Sequence, residues 1–179
     1  MRLEDFTYLL VRQGFEVPWD GSMSNDGGDA LCTHTGEVIL FPFNAGGNRQ
    51  RWIFHRLDDG TFNIKNQGGA DFGKEYLSYR ADGSVIDLYD HDDGSGRQRW
   101  MVMGSGIGDQ QTIHQTIRIK GVALVDGRAP ELKVGGEDEA TVCFGQDIYR
   151  WQVWLAGLAQ NPDAVLTNEQ MDYATRAFL

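Results

Sequence analysis

The chain is predicted to be an all-β domain of three similar four-stranded units with a short helical tail. The first observation behind this is a repeated phrase. It reads Asn48-Arg49-Gln50-Arg51-Trp52-Ile53, then Gly96-Arg97-Gln98-Arg99-Trp100-Met101, then Ile148-Tyr149-Arg150-Trp151-Gln152-Val153, with tryptophans 48 and 51 residues apart. A fixed period of this size marks copies of one supersecondary unit. The second is strict alternation of apolar and polar residues over short stretches between the phrases, the mark of half-buried strands. The third is glycine: there are 23, many beside Asp or another Gly, as a chain of many tight turns requires.

The units occupy about residues 5–57, 61–105 and 115–156 of a domain spanning 1–156. The second is the clearest. Thr61–Lys65, Tyr76–Arg80, Val85–Tyr89 and Gln98–Val102 alternate, and Asp59-Gly60, Ala81–Ser84 and Asp93–Gly96 supply the turns. The third runs through Thr116–Lys120, Glu131–Val134, Thr141–Phe144 and Tyr149–Leu155. The first runs through Phe6–Leu10, Ala30–Cys32, Glu37–Phe41 and Gln50–His55, with Val17–Asp29 as an irregular surface loop. Six of these strands are expected to close a barrel and three hairpins to cap one end, which removes exposed sheet edges. Each recurrent tryptophan belongs in the core. Gln50 and Gln98 lie two residues earlier on the same strand face, where a buried amide must be bonded and serves to tie down a turn. Arg51, Arg99 and Arg150 have the opposite parity and are expected on the barrel exterior.

Residues 157–179 have no copy elsewhere. Asn161-Pro162-Asp163 suits a helix start, and Thr167-Asn168-Glu169-Gln170 fits a capping box. Met171, Ala174 and Phe178 follow at helical spacing. This tail is expected to pack on its own domain. It is also the candidate for any self-association or larger complex.

The formal charge of −10 repels phosphate backbones and anionic membranes, so neither nucleic acid nor an anionic membrane is an expected partner. No stretch approaches the ~20 apolar residues of a membrane span. Met1-Arg2-Leu3-Glu4-Asp5 carries acid where a signal peptide needs base, which reads as a cytoplasmic protein or one exported without a cleaved leader. Cys32 and Cys143 read as buried free thiols. The histidines His34, His55, His91 and His114 show no metal-ligand spacing, and no catalytic elbow or phosphate loop occurs. Asp90-His91-Asp92-Asp93 could bind calcium only with further ligands that the sequence does not identify, and reads as an acidic turn. No cofactor and no enzymatic activity are expected.

The Gln-x-Trp phrase, three times at this spacing, resembles the ricin-B-type β-trefoil lectins over about residues 5–156. The first repeat keeps Gln-Arg-Trp, while the third has Tyr149 in place of Gln. The resemblance implies a non-enzymatic carbohydrate-binding module whose partners are glycans or glycoproteins, with a toxin- or haemagglutinin-like system as the setting it suggests. It implies a sugar site beside the capping hairpin, with an aromatic ring for the apolar sugar face and polar groups for its hydroxyls. The second repeat fits best: Asp87 and Tyr89 share a strand face, and Arg97 and Gln98 precede the tryptophan. The family's second-strand Asp is missing, because the matching positions are Cys32, Ser78 and Lys133. In the first repeat Phe41 and Ile39 stand where Tyr89 and Asp87 do. In the third, Phe144 and Val142 are the nearest equivalents, so both repeats read as structural. The alternative is a protein-binding trefoil, such as a protease inhibitor, working through exposed loops.

Overall fold

A computed structural model describes residues 1–13, 30–42, 48–68, 73–107, 115–136, 138–144 and 148–178. The expected surface loop at Val17–Asp29 lies outside the described residues. Among the described residues there are twelve strands and one α-helix. The first unit holds β1 (Phe6–Val11), β2 (Ala30–His34), β3 (Glu37–Phe41) and β4 (Trp52–Arg56). The second holds β5 (Phe62–Asn66), β6 (Tyr76–Tyr79), β7 (Ile86–Tyr89) and β8 (Trp100–Ile107). The third holds β9 (Gln115–Gly121), β10 (Glu131–Val134), β11 (Ala140–Cys143) and β12 (Trp151–Leu158), and α1 is Asn168–Arg176.

Six strands form a ring. β1 pairs with β4, β4 with β5, β5 with β8, β8 with β9, β9 with β12, and β12 returns to β1, all antiparallel. The other six make the hairpins β2–β3, β6–β7 and β10–β11. Each hairpin joins the ring by one rung: Val11 to Ala30, Lys65 to Tyr76, and Lys120 to Glu131. This is the all-β trefoil expected from the repeats, with a short helical extension.

The three tryptophans explain the symmetry. All are fully buried, and each indole N–H donates to the carbonyl of the second residue of its unit's second strand. Trp52 reaches Leu31 at 2.9 Å, Trp100 reaches Leu77 at 2.9 Å, and Trp151 reaches Leu132 at 3.1 Å. One residue therefore fills the core and ties the closing strand of each unit to its hairpin. Burying a ring of this size contributes ~3 kcal/mol before the hydrogen bond is counted.

Neither glutamine lies on the strand expected, Gln50 ending a short 3-10 helix and Gln98 preceding β8, but both tie down turns. Gln98 is fully buried and its carbonyl accepts from Asp93 N at 3.3 Å, which pins the turn before β8. Gln50 donates to the carbonyls of Phe41 and Pro42 at 3.1 and 3.0 Å.

Two expectations are corrected. Arg51 is not spread over the exterior; it is buried and donates to Pro162 O at 3.3 Å, because the tail folds over it. Asn161–Asp163 begins a single turn, closed by Ala164 N on Asn161 O at 3.1 Å, rather than a helix. The helix starts later, at the Thr167 cap. Gln170 N donates to Thr167 Oγ1 at 3.2 Å and Thr167 N donates to Gln170 Oε1 at 2.9 Å, which is the expected capping box. α1 and the residues after it close the barrel mouth opposite the hairpins. Phe178 packs edge-on against Tyr8 at 5.2 Å and Phe54 at 4.9 Å, and Tyr173 stacks on Phe6 at 5.8 Å. Of the apolar face expected to dock, Ala174 and Phe178 are buried on the domain, while Met171 stays exposed.

Candidate functional site

The β6–β7 hairpin presents the candidate site. Leu77 opposes Leu88, and Tyr79 opposes Ile86, all buried. Period-two geometry then puts Tyr76, Ser78, Asp87 and Tyr89 together on the other face, with Tyr76 opposite Tyr89 and Ser78 opposite Asp87. Asp87 and Tyr89 are half-buried, as the alternation of their strand anticipates. The tip of this hairpin is held against the third unit. Gly83 sits at φ +70°, and a Cβ there would meet the Phe144 ring at 2.8 Å, so only glycine fits.

Around the Asp87 carboxylate stand Arg80, whose Nε lies 4.0 Å away, and the charges of Lys74 and Arg97. Burial raises the Asp87 carboxyl above the usual aspartate range. The three cations, with a smaller contribution from Ser78, pull the other way without cancelling it. Arg97 is fixed by its own turn, donating from Nε to Ser95 Oγ and from its terminal NH2 nitrogen to Asp93 Oδ2, both at 3.1 Å. The Tyr89 ring lies 5.4 Å from His91, tilted by 45°. Lys65 sits 4.8 Å over the Tyr76 ring and pairs with Glu75 at 2.6 Å.

Of the four residues singled out in the sequence, Asp87, Tyr89 and Arg97 lie at least partly open on one side of the second unit. Gln98 lies beneath them in the core, where its amide nitrogen donates to Ser78 Oγ at 3.1 Å. Tyr76 is the member that sequence reasoning missed, while Ser78 stands at the position where the resemblance expects an Asp. Counting outward from the Ala81–Ser84 turn sets Ser78 opposite Asp87 and Tyr76 opposite Tyr89, so the signal was present once the hairpin register was drawn.

The acidic turn is self-satisfied. Asp92 Oδ2 accepts from Arg99 at 2.7 Å and from Asn63 at 3.2 Å, while Asp93 accepts from Arg97 and from Ser95 N. Among the described residues, no cluster of three or more His, Cys, Asp or Glu side chains is placed to hold a metal.

The other two units differ. In the first, Cys32 occupies the Ser78 position, with its thiol pushed up to about 11 by burial. Ile39 replaces Asp87, and Phe41 stands in the Tyr89 position at 50% exposure. In the third, the register corrects the sequence alignment by one residue. Val142 opposes Leu132 and is buried, so it matches Leu88; Thr141 and Cys143, not Val142 and Phe144, match Asp87 and Tyr89. Phe144 lies at the seam with the second unit, with Arg128 5.1 Å from its ring centre.

No protein-family model matches this sequence, and no curated protein matches it. Solved structures do. An endo-β-galactosidase from Clostridium perfringens that releases GlcNAcα1-4Gal aligns with a TM-score of 0.53 at 12% identity, covering 83% of this chain and 32% of that one. Cry35Ab1 aligns at 0.53 and 14% identity, covering 92% of this chain and 39% of that one. A mosquitocidal holotoxin aligns at 0.54 and 15% identity, covering 84% and 17%. The chain thus spans well under half the length of each. At these identities the likeness establishes the shared fold.

Proposed function

We propose that this chain is a non-enzymatic carbohydrate-binding module of the ricin-B-like type, with its working site on the second unit. The observation that carries the reading is the pairing of Asp87 and Tyr89 on one face beside Arg97. A half-open ring offers a platform for the apolar face of a pyranose. A half-buried carboxylate accepts hydroxyl protons, and a guanidinium donates to ring or hydroxyl oxygens. The burial that lifts the Asp87 carboxyl has a stability cost at neutral pH, as expected of a side chain kept for binding. The solved structures of this fold support the reading, since one is described as an endo-β-galactosidase and another as a mosquitocidal holotoxin. In this reading the chain is the recognition part of a toxin-like or glycan-processing system, and glycans or glycoproteins are its partners.

The test is a glycan array with the wild type and Tyr89→Ala, with folding followed by near-ultraviolet circular dichroism. The wild type is expected to select a defined set of glycans. Tyr89→Ala is expected to lose about tenfold or more in affinity while remaining folded. A wild type that ignores every glycan but titrates a protease would replace this reading with the protein-binding one.

A further inference from the structure

The outer face of the β6–β7 hairpin carries a second aromatic ring beside Tyr89. Tyr76 opposes Tyr89 across the base rung of the hairpin, and on its other side it opposes Lys65 of β5. Cross-strand neighbours hold their Cβ atoms ~5 Å apart, so the two tyrosines stand side by side. Both are half-buried, which leaves part of each ring open. Their neighbours are charged or polar groups rather than each other. The Lys65 ammonium lies 4.8 Å over the Tyr76 ring, and the Tyr89 ring lies 5.4 Å from His91. Those neighbours are themselves tied down, Lys65 by Glu75 and His91 by Asp90, both at 2.6 Å. Lys65 crowds Tyr76 from the β5 side and leaves the β7 side open, so the open areas of the two rings adjoin.

The fold does not ask for this pair. The same rung is Ala30 with Phe41 in the first unit and Glu131 with Cys143 in the third. Ala30 is fully buried, which leaves Phe41 as a single ring, and Glu131 is committed to Arg118 through two bonds of 2.9 Å. Of the three rungs, the one with a ring on both strands is in the unit that also carries Asp87 and Arg97. Nor does the hairpin need the pair to hold it on the barrel, since Leu77, Tyr79, Ile86 and Leu88 are the side chains it buries.

We infer that Tyr76 forms a second sugar subsite beside Tyr89, and that the ligand is an oligosaccharide of at least two contiguous pyranoses rather than one terminal sugar. This deepens the carbohydrate reading and rests on it. Adjacent strands lie ~4.8 Å apart, close to the length that one pyranose adds to a chain. A saccharide laid across β7 and β6 therefore brings consecutive sugars over Tyr89 and Tyr76 in turn. At Tyr89 the hydroxyls are read by Asp87, two residues away on the same face. At Tyr76 the polar groups are those of the Lys65–Glu75 pair, in which the ammonium keeps donors beyond the one given to Glu75. The Tyr89 subsite selects the sugar, and the Tyr76 subsite adds affinity with chain length. Rings already restrained by their neighbours lose little freedom on binding, which suits a shallow site.

The experiment titrates the wild type, Tyr76→Ala and Tyr76→Phe with methyl glycosides of galactose, glucose, mannose and N-acetylglucosamine, and with the matching disaccharides and trisaccharides. Calorimetry gives the affinities, and NMR of ring-labelled tyrosine shows which ring each probe reaches. In the wild type, affinity is expected to rise about tenfold from monosaccharide to disaccharide. The monosaccharide is expected to shift the Tyr89 signals alone, and the disaccharide those of Tyr89 and Tyr76 together. Tyr76→Phe should keep the rise with length, and Tyr76→Ala should lose it. Should Tyr76→Ala fail to fold, Tyr76→Leu removes the ring and keeps the apolar bulk, and the ring shifts of the wild type need no variant. A disaccharide that binds no better than its monosaccharide, or that leaves the Tyr76 signals in place, overturns the second subsite and leaves the carbohydrate reading standing. A protein that binds none of these probes, and no glycan on the array, removes that reading and the subsite with it.

Discussion

Asp87 is held in a state that water would not favour. Burial raises its carboxyl, and its cationic neighbours only partly offset this. A carboxyl raised on folding contributes stability at acid pH that is lost as pH rises through the folded value. At pH 7 the side chain therefore weakens the fold. Asp87→Asn is expected to leave Tm unchanged or slightly higher at pH 7, while glycan binding falls about tenfold or more; calorimetry and the array measure the two. A drop in Tm of several degrees would show that the carboxylate is structural. At this scale the sequence revealed the ring and the acid, because alternation along one strand separates Asp87 and Tyr89 from Ile86 and Leu88. It did not reveal Tyr76. An aromatic one strand away has no place at the site until the register sets it across from Tyr89.

At the scale of elements, each tryptophan links the last strand of its unit to the second. Trp100→Phe keeps most of the ring but leaves the Leu77 carbonyl without its indole donor. The expected loss is about 2–4 kcal/mol, read from urea unfolding. The tail is a second such element. Phe178 wedges between Tyr8 and Phe54, and Phe178→Ala is expected to cost ~3 kcal/mol and lower Tm by about 8 °C in a thermal melt. The capping box at Thr167 was readable locally. The burial of Arg51 was not, because its cover comes from Pro162, far along the chain. The third hairpin was misphased for a related reason. Ala140-Thr141-Val142-Cys143-Phe144 is mostly apolar and gives no alternation from which to tell inward from outward, so only pairing with Leu132 sets the phase.

At the scale of the whole molecule, a buried ion pair lies within the third unit. Burial alone would raise the Glu131 carboxyl. Two bonds from Arg118 at 2.9 Å, one from Tyr149 N at 3.2 Å and the Arg118 and Lys120 charges outweigh it and leave Glu131 below the usual glutamate range. A depressed carboxyl stabilises above its unfolded value and loses that contribution as pH falls through the folded one. Glu131→Gln should therefore lower stability at pH 7 and make it less dependent on pH below about 4.5, which acid unfolding curves would show. The threefold plan was legible because one large residue recurs in phase. The closure of the ring was implied by that count but not written in any single strand.

That closure orders events during synthesis. β1 is made first, yet its longest partnership is with β12, nearly the whole described chain away. A ribosome that has released only two lobes holds an open sheet, with the free sides of β1 and β8 awaiting strands not yet made. Full cooperativity must arrive late, after emergence of the third lobe, and a stalled nascent chain would be more prone to aggregate than the finished protein.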